Sequence, residues 1–277
     1  MRRLFAFGLG YSARALERRL GHEWSVIGTT RHGDGGGRRF DRDHRLPKSA
    51  LSGITDILIS IAPDHEGDPV LDLHGTDIAA LAGLRWVGYL STTGVYGTRD
   101  GGWVDETSEL RPTSERSARR VAAEARWLDL WRGHGLPVHI FRLSGIYGPG
   151  RSAFDGLREG LDKRIYKPGH LFSRIHVEDL ACVLAASIAK PRPGGIYNVC
   201  DDEAAASADV VAYAASLLGL EPPPLVPFDA VELSPLARSF WADDRRVSNA
   251  LIKRELDVTL AYPNYRVGLA AILAAGG

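Results

Sequence analysis

Lysine is absent from this chain between Lys48 and Lys163, and tyrosine between Tyr96 and Tyr147. That double absence matters because of the segments that flank it. Cysteine is scarce as well: Cys182 and Cys200 are the two present, and their spacing excludes a cysteine-rich metal site and suggests a reducing compartment. No charge of one sign dominates, with 34 basic against 34 acidic residues, so no general pull toward nucleic acid or an anionic membrane is implied. The basic residues are overwhelmingly arginine. Long apolar runs are missing too, which excludes a spanning helix. The start, Met1 to Phe7, imitates a signal peptide, but its apolar run is too short and is cut by a glycine turn, so it reads as a first strand. The expectation is a soluble, cytoplasmic protein with no metal site.

What is present is an alternation of strand and helix patterns over 277 residues, long enough to bury a sizeable core. Leu4–Phe7 is a short buried run, Ala13–Leu20 is helical, and Trp24–Thr30 is a second strand. Gly33–Gly37 is a loop, Phe40 marks a third strand end, and Ile54–Ile61 is a continuous apolar strand stopped by Pro63. A helix around Gly75–Leu84 precedes the strand Trp86–Leu90. Strands apolar on both faces and separated by helices predict an α/β fold with a doubly wound parallel sheet. After Gly150 the alternation loosens. Residues 151–175 and 220–245 are richer in proline, arginine and loop residues, whereas Val177–Ala189 and Ala208–Leu218 read as helices and Ile196–Val199 as a strand.

Three segments carry chemistry. Gly8-x-Gly10-x-x-Ala13 follows the first strand and opens a helix. Gly8 permits a tight turn, Gly10 lets a pyrophosphate approach the backbone, and Ala13 allows close helix–strand packing. The second is Ser91-Thr92-Thr93-Gly94-Val95-Tyr96-Gly97 at a strand end, where open α/β sheets place ligands. The third is Arg142-Leu143-Ser144-Gly145-Ile146-Tyr147-Gly148-Pro149-Gly150.

Together these segments resemble the extended short-chain dehydrogenase/reductase family, also called the NAD-dependent epimerase/dehydratase family. The resemblance covers nearly the whole chain and is sharpest over residues 4–150 and 172–182. It implies a Rossmann dinucleotide-binding core over residues 1–150 and a small substrate lobe mainly within 151–277, with segments about 176–218 returning to the sheet. It also implies Gly8, Gly10, Tyr11, Ser12, Ala13, Thr30, Ala62 and Ser144 as cofactor contacts, and Asp41 as the acceptor for the adenine amino group. The second strand ends in Arg31, where an NAD site usually has a carboxylate for the ribose hydroxyls. A guanidinium there suits the ribose phosphate of NADP, so NADP is expected over NAD. Asp34, three residues on in the glycine loop, is the rival ribose ligand.

The resemblance makes Thr92 the hydroxyl that bonds the reacting substrate oxygen, and Tyr96 a substrate contact. Dehydratases of the family place Asp-Glu after that threonine, whereas Thr93-Gly94 follow it here, which argues against dehydration. The family's reactive Tyr-x-x-x-Lys belongs between the second and third segments, where this chain has neither residue. Ser114 or Thr113 can cap a helix there, with Val121, Ala125 and Leu128 as its buried stripe. Aligning on Glu124, a frequent family acid, puts Arg116 at the tyrosine position and Arg120 at the lysine position, i and i+4 on one face. Arg120 can still bind ribose. Arg116 cannot act as an acid near neutrality. Three readings stay open: another donor (Glu115, Asp105, Glu106 or a lobe tyrosine), arginines that bind an anionic substrate, or NADP binding without turnover. A solvated helix face, with Arg120 paired to Glu124, is the bland alternative.

In the lobe, Arg174-Ile175-His176-Val177-Glu178-Asp179 resembles a family segment at a helix entrance, with His176 in a structural role. Phe172 stands where nucleotide-sugar epimerases carry an arginine for the diphosphate. Arg174 and Arg151 are expected substrate contacts and Arg238 a further candidate. Residues 242–250 resemble the segment that closes the lobe, and an amphipathic helix follows Tyr262–Arg266. Trp127, Leu130 and Trp131 widen the apolar surface of the Arg116 helix. Family members often dimerise through that helix, so a homodimer is implied, while the aromatics alone suit the core equally. The expected function is an NADP-dependent oxidoreductase or epimerase-like enzyme acting on a small polar metabolite. The alternative is a non-catalytic NADP(H)-binding regulator or scaffold.

Overall fold

The computed structural model describes residues 2–276. In chain order its strands are β1 (Arg2–Phe7), β2 (Trp24–Thr30), β3 (Arg38–Arg39), β4 (Asp56–Ile59), β5 (Trp86–Thr92), β6 (Trp103–Val104), β7 (Val138–Leu143), β8 (Gly145–Tyr147), β9 (Arg164–Tyr166), β10 (Arg174–His176), β11 (Ile196–Val199), β12 (Leu225–Pro227) and β13 (Arg246–Val247). Its helices are α1 (Tyr11–Leu20), α2 (Pro69–Ala79), α3 (Glu115–His134), α4 (Ala153–Arg158), α5 (Val177–Ala189), α6 (Ser207–Leu217), α7 (Pro235–Ala242), α8 (Ala250–Leu256) and α9 (Tyr265–Ala274).

β1, β2, β3, β4, β5, β7 and β11 form one parallel sheet in the order β11-β7-β5-β4-β1-β2-β3. Side chains alternate across a strand, and β1 shows the consequence. Leu4 and Ala6 pack with α1, α5 and α8 on one face, while Phe5 and Phe7 pack with α2 and α3 on the other. Both faces are covered, as the apolar strands predict, and the fold is a doubly wound Rossmann-type α/β fold. Trp86 shows how tightly the first face closes. Its indole N–H donates to Ser187 of α5 at 3.0 Å, and its ring lies over Gly88, where an added Cβ would sit 2.1 Å from it.

Several elements differ from the sequence pattern. The strand expected over 54–61 is confined to Asp56–Ile59. α2 starts at Pro69 rather than near Gly75, because the Asp68 carboxylate accepts from the amides of Val70 and Leu71 and Pro69 supplies a preset first turn. The buried stripe of α3 is Ser117, Arg120, Ala123, Glu124, Trp127 and Leu128. Ala125 is exposed and Val121 half-buried, so that part of the expected stripe is wrong. Polar residues displaced it because the C-terminal ends of β5 and β7 beneath them offer polar partners. α6 does not return to the sheet: it packs with Phe154 of α4 and with Tyr265, Leu269 and Ile272 of α9 in a separate apolar cluster. Three short parallel pairs, β8–β10, β9–β12 and β6–β13, tie the loosely patterned segments together.

A buried polar network holds α3 to the sheet. The Arg142 guanidinium, on β7, donates to Glu124 at 2.8 Å, with both side chains almost fully buried. Ser91 of β5 donates to the other Glu124 oxygen. Arg142 also donates to the Tyr96 hydroxyl at 2.9 Å, and that hydroxyl donates to Asn198 of β11 at 2.7 Å. Removing one partner of such a pair strands a charge in the interior. Glu124→Ala is therefore expected to lower the unfolding free energy in urea by about 3–5 kcal/mol, while Glu124→Leu combined with Arg142→Met recovers most of it. A loss below about 1 kcal/mol would refute the buried-pair assignment.

Candidate active site

A cavity of about 700 Å³ opens at the C-terminal ends of β1, β5 and β7, on the side of the sheet where the strand order reverses between β1 and β4. One end is built by the glycine turn. Gly8 has φ +92°, and a Cβ there would lie 2.4 Å from the Ser60 oxygen. Gly10, Tyr11 and Ser12 line the cavity. Gly10 precedes α1 without a side-chain cap, no acid stands in the first turn, and an added Cβ at Gly10 would meet nothing within 4 Å. Free backbone N–H groups therefore face open space at a positive helix end, which fits a pyrophosphate. Ala13 is buried against the sheet. Across the cavity the Ser144 hydroxyl is buried with no hydrogen-bond partner among the described residues, a group left for a ligand to satisfy.

The remaining dinucleotide candidates sit outside the cavity wall. Thr30 ends β2, and its hydroxyl accepts from the Asp34 amide at 3.0 Å. Arg31 and Arg38 are exposed, with no hydrogen-bond or ion-pair partner among the described residues. Arg39 pairs with Asp41 at 3.4 Å, and Asp41 also holds His44 at 2.6 Å. Hydrogen bonds from His44 and the Asp43 amide hold the Asp41 carboxyl below its ordinary pKa. Ala62 is exposed just beyond β4.

Thr92, Arg116 and Arg120 all line the cavity. The Thr92 oxygen accepts from the Gly94 amide at 3.1 Å, which leaves its proton free to donate. Arg120 donates to the Leu90 carbonyl and, at 3.4 Å, to the Tyr89 hydroxyl. It is not paired with Glu124, so the bland reading of that residue is corrected: Arg142 and Ser91 occupy the carboxylate. Arg116 lies over the Phe240 ring at 5.7 Å, and burial together with Arg120 lowers its pKa from the ordinary guanidinium value. None of the named proton donors lines the cavity. Glu115 is exposed beside Arg119, Asp105 accepts from Thr107 and Ser108, and Glu106 accepts from the Asn198 amide. Burial raises the Glu106 pKa.

Tyr96 is also corrected. It is fully buried, bonded to Asn198 and Arg142, and absent from the cavity wall. The cause is the helical turn Thr93–Tyr96 after β5, which rotates Tyr96 into the polar network. Arg151 and Arg174 do line the cavity, Arg238 does not, and Phe172 packs against His170 and Trp241. His176 caps α5 by accepting from the Glu178 amide and stacks on Tyr262 at 3.9 Å; burial pushes its pKa down to about 4. Trp127 donates to Asp68 at 3.0 Å from the interior, so that aromatic belongs to the core.

The sequence reading missed α7, which brings Ser239, Phe240 and Trp241 to the wall, and the Asp243–Arg245 pair at 3.0 Å beside it. The single signal was the resemblance of residues 242–250 to a lobe-closing segment. It also missed Asp201, buried next to Arg174, whose carboxyl is raised to about 8 by burial.

Residues 74–200 match the family model described as NAD dependent epimerase/dehydratase family. A little under half of the chain is thus similar to that family. A functionally unknown conserved protein from Silicibacter pomeroyi DSS, whose structure is solved, is 53% identical, with 99% of each chain covered and a TM-score of 0.93. Protein YeeZ of Escherichia coli K12 is 34% identical over 138 residues, 49% of this chain and 47% of that protein, so the chain spans about half the length of the curated relatives it matches. A Bacillus anthracis dTDP-glucose 4,6-dehydratase solved with NAD shares the fold at 19% identity, with 99% of this chain and 96% of that chain covered and a TM-score of 0.76. No helix among the described residues is long and apolar enough to cross a membrane.

Asp201 gives the chain a readable pH signature. Its unfolded carboxyl titrates near pH 4, and its folded one near 8. Between those values the unfolded chain has released a proton that the folded chain keeps, so stability falls as pH rises through about 4 to 8 and levels off above. Asp201→Asn is expected to flatten that part of the melting temperature against pH; an unchanged slope would remove Asp201 as its source.

Proposed function

We propose that this chain is an NADP-dependent oxidoreductase or epimerase-like enzyme acting on a small, anionic polar metabolite. The observation that carries the reading is the sharing of one cavity by the uncapped start of α1, the unpartnered Ser144 hydroxyl, and Thr92 with Arg116 and Arg120. Gly10, Tyr11 and Ser12 would hold the pyrophosphate, Ser144 the nicotinamide side, and Arg120 the ribose hydroxyls. Arg31, which follows the strand that pairs with the Arg38 strand, favours the ribose phosphate of NADP, because an unpaired guanidinium attracts a dianion that NAD lacks. A bound nicotinamide supplies hydride exchange.

The chain's own residues do the rest. Thr92 donates its free proton to the substrate oxygen and fixes its position. Arg116 stabilises negative charge on that oxygen as a fixed cation in place of a proton donor. Proton exchange is left to solvent in the cleft. Dehydration is disfavoured, since Thr93-Gly94 follow Thr92 and the one wall carboxylate among the described residues, Asp243, is held by Arg245 and Thr113.

A second reading, binding without turnover, is favoured by one observation. Among the described residues the cavity wall contains no histidine, cysteine, lysine or glutamate; its one carboxylate, Asp243, is held by Arg245 and Thr113, and its one phenol, Tyr11, donates to the Pro149 carbonyl. General acid–base work needs a group poised near operating pH.

Thermal shift with NADP against NAD separates the cofactor claims. NADP is expected to bind at least about tenfold tighter, and Arg31→Ala to cost about 10–100-fold for NADP alone, the range of a charged hydrogen bond. A preference for NAD would refute the NADP assignment. NADPH oxidation across a panel of anionic carbonyl compounds then decides turnover, with Thr92→Ala expected to reduce it by about 100-fold or more. No oxidation of any compound, with NADP still bound, selects the second reading.

A further inference from the structure

A second cavity, of about 360 Å³, adjoins the first and shares Arg151, Arg174 and Ser207 with it. Its inner wall is apolar, formed by Tyr147, Val210, Val211 and Leu269. The polar residues beside it, Ser152 and Asp155, are spent on each other in the capping box of α4. The two guanidiniums at the junction have no ion-pair partner among the described residues within 4 Å. Arg151 is exposed, lying 5.9 Å over the Tyr11 ring. Arg174 is held in place by donating to the carbonyls of Phe172 and Ala205.

Resting on the proposed substrate site, we infer that the substrate is bipartite: an anionic group, phosphate or carboxylate, clamped by Arg151 and Arg174, carrying an apolar or aryl group that fills the second cavity. Neutral apolar compounds would leave two guanidiniums facing an unsolvated ligand, and small anions would leave the apolar wall wet. A ligand with both parts satisfies each. Asp201, a buried carboxyl beside Arg174, donates its backbone N–H to the Arg174 carbonyl at 2.6 Å. Burial keeps its side chain protonated near neutrality, so it does not cancel the Arg174 charge. Phe172, on the wall of the first cavity beside the clamp, fills with a ring the position where a further cation would favour a diphosphate.

The test is calorimetry on the full chain saturated with NADP, using phenyl phosphate, phenylacetate, inorganic phosphate, benzyl alcohol and thymidine diphosphate. Phenyl phosphate or phenylacetate is expected to bind at least tenfold tighter than inorganic phosphate and benzyl alcohol, and the stronger of the two identifies the anion. Arg151→Gln is expected to weaken that ligand about tenfold or more. Val211→Trp, which fills the second cavity from a half-buried position, is expected to weaken it similarly while leaving the NADP thermal shift unchanged. Equal binding of phenyl phosphate and inorganic phosphate, or insensitivity to Val211→Trp, overturns the inference. Tighter binding of thymidine diphosphate than of either aryl acid overturns it in favour of a nucleotide. NADP binding without any of these effects leaves the cofactor reading standing, whereas failure to bind NADP removes that reading itself.

Discussion

The Glu124–Arg142 pair sets the geometry on which the cleft depends. It joins α3 to β7, and through Ser91 to β5, while Tyr96 and Asn198 extend it to β11. A carboxylate buried this deeply must meet its guanidinium, so α3 can take one rotational phase against the sheet. Residues four and eight positions earlier share the face of Glu124, because a helix repeats every 3.6 residues. That phase carries Arg120 and Arg116 to the cavity wall. It also fixes the end of β5, where Thr92 directly follows Ser91. The ion pair does no chemistry, yet a different phase would send both arginines to solvent.

The order of elements was legible because it rests on local physics. Apolar runs predict buried parallel strands, and the glycine turn before α1 needs φ above zero at Gly8, which the sequence states outright. The phase of α3 was legible through Glu124, although the stripe built on Val121 and Ala125 pointed elsewhere. That failure has a physical cause: an apolar periodicity search cannot see that Arg142, 18 residues on, makes Glu124 the most deeply buried polar residue of its helix. Tyr96 failed for a related reason. Its neighbours Thr92 and Thr93 do line the cavity, and only the tertiary partners Arg142 and Asn198 turn it inward.

The lobe was least legible, since its elements are short and its contacts distant in sequence. α6 reads as an ordinary helix after β11, and nothing within it says that it will pack on α4 and α9 rather than on the sheet. α7 and the Asp243–Arg245 pair reach the cleft from more than a hundred residues beyond Arg116. The raised carboxyl of Asp201 depends wholly on burial, which one sequence does not express.

Net charge hides the cleft's electrostatics. The 34 basic and 34 acidic residues cancel over the whole chain, but they do not cancel locally. Arg116, Arg120, Arg151, Arg174 and Arg245 line one cavity against the single carboxylate of Asp243. Carbonyls and ring faces hold three of these cations in place without neutralising them: Leu90 for Arg120, Phe172 and Ala205 for Arg174, and Phe240 for Arg116. Held this way, a guanidinium keeps its field and loses its freedom, which is the condition for preorganised charge stabilisation. The same arrangement cannot store a proton near neutrality. Two guanidiniums on this wall therefore suit anion recognition better than proton exchange.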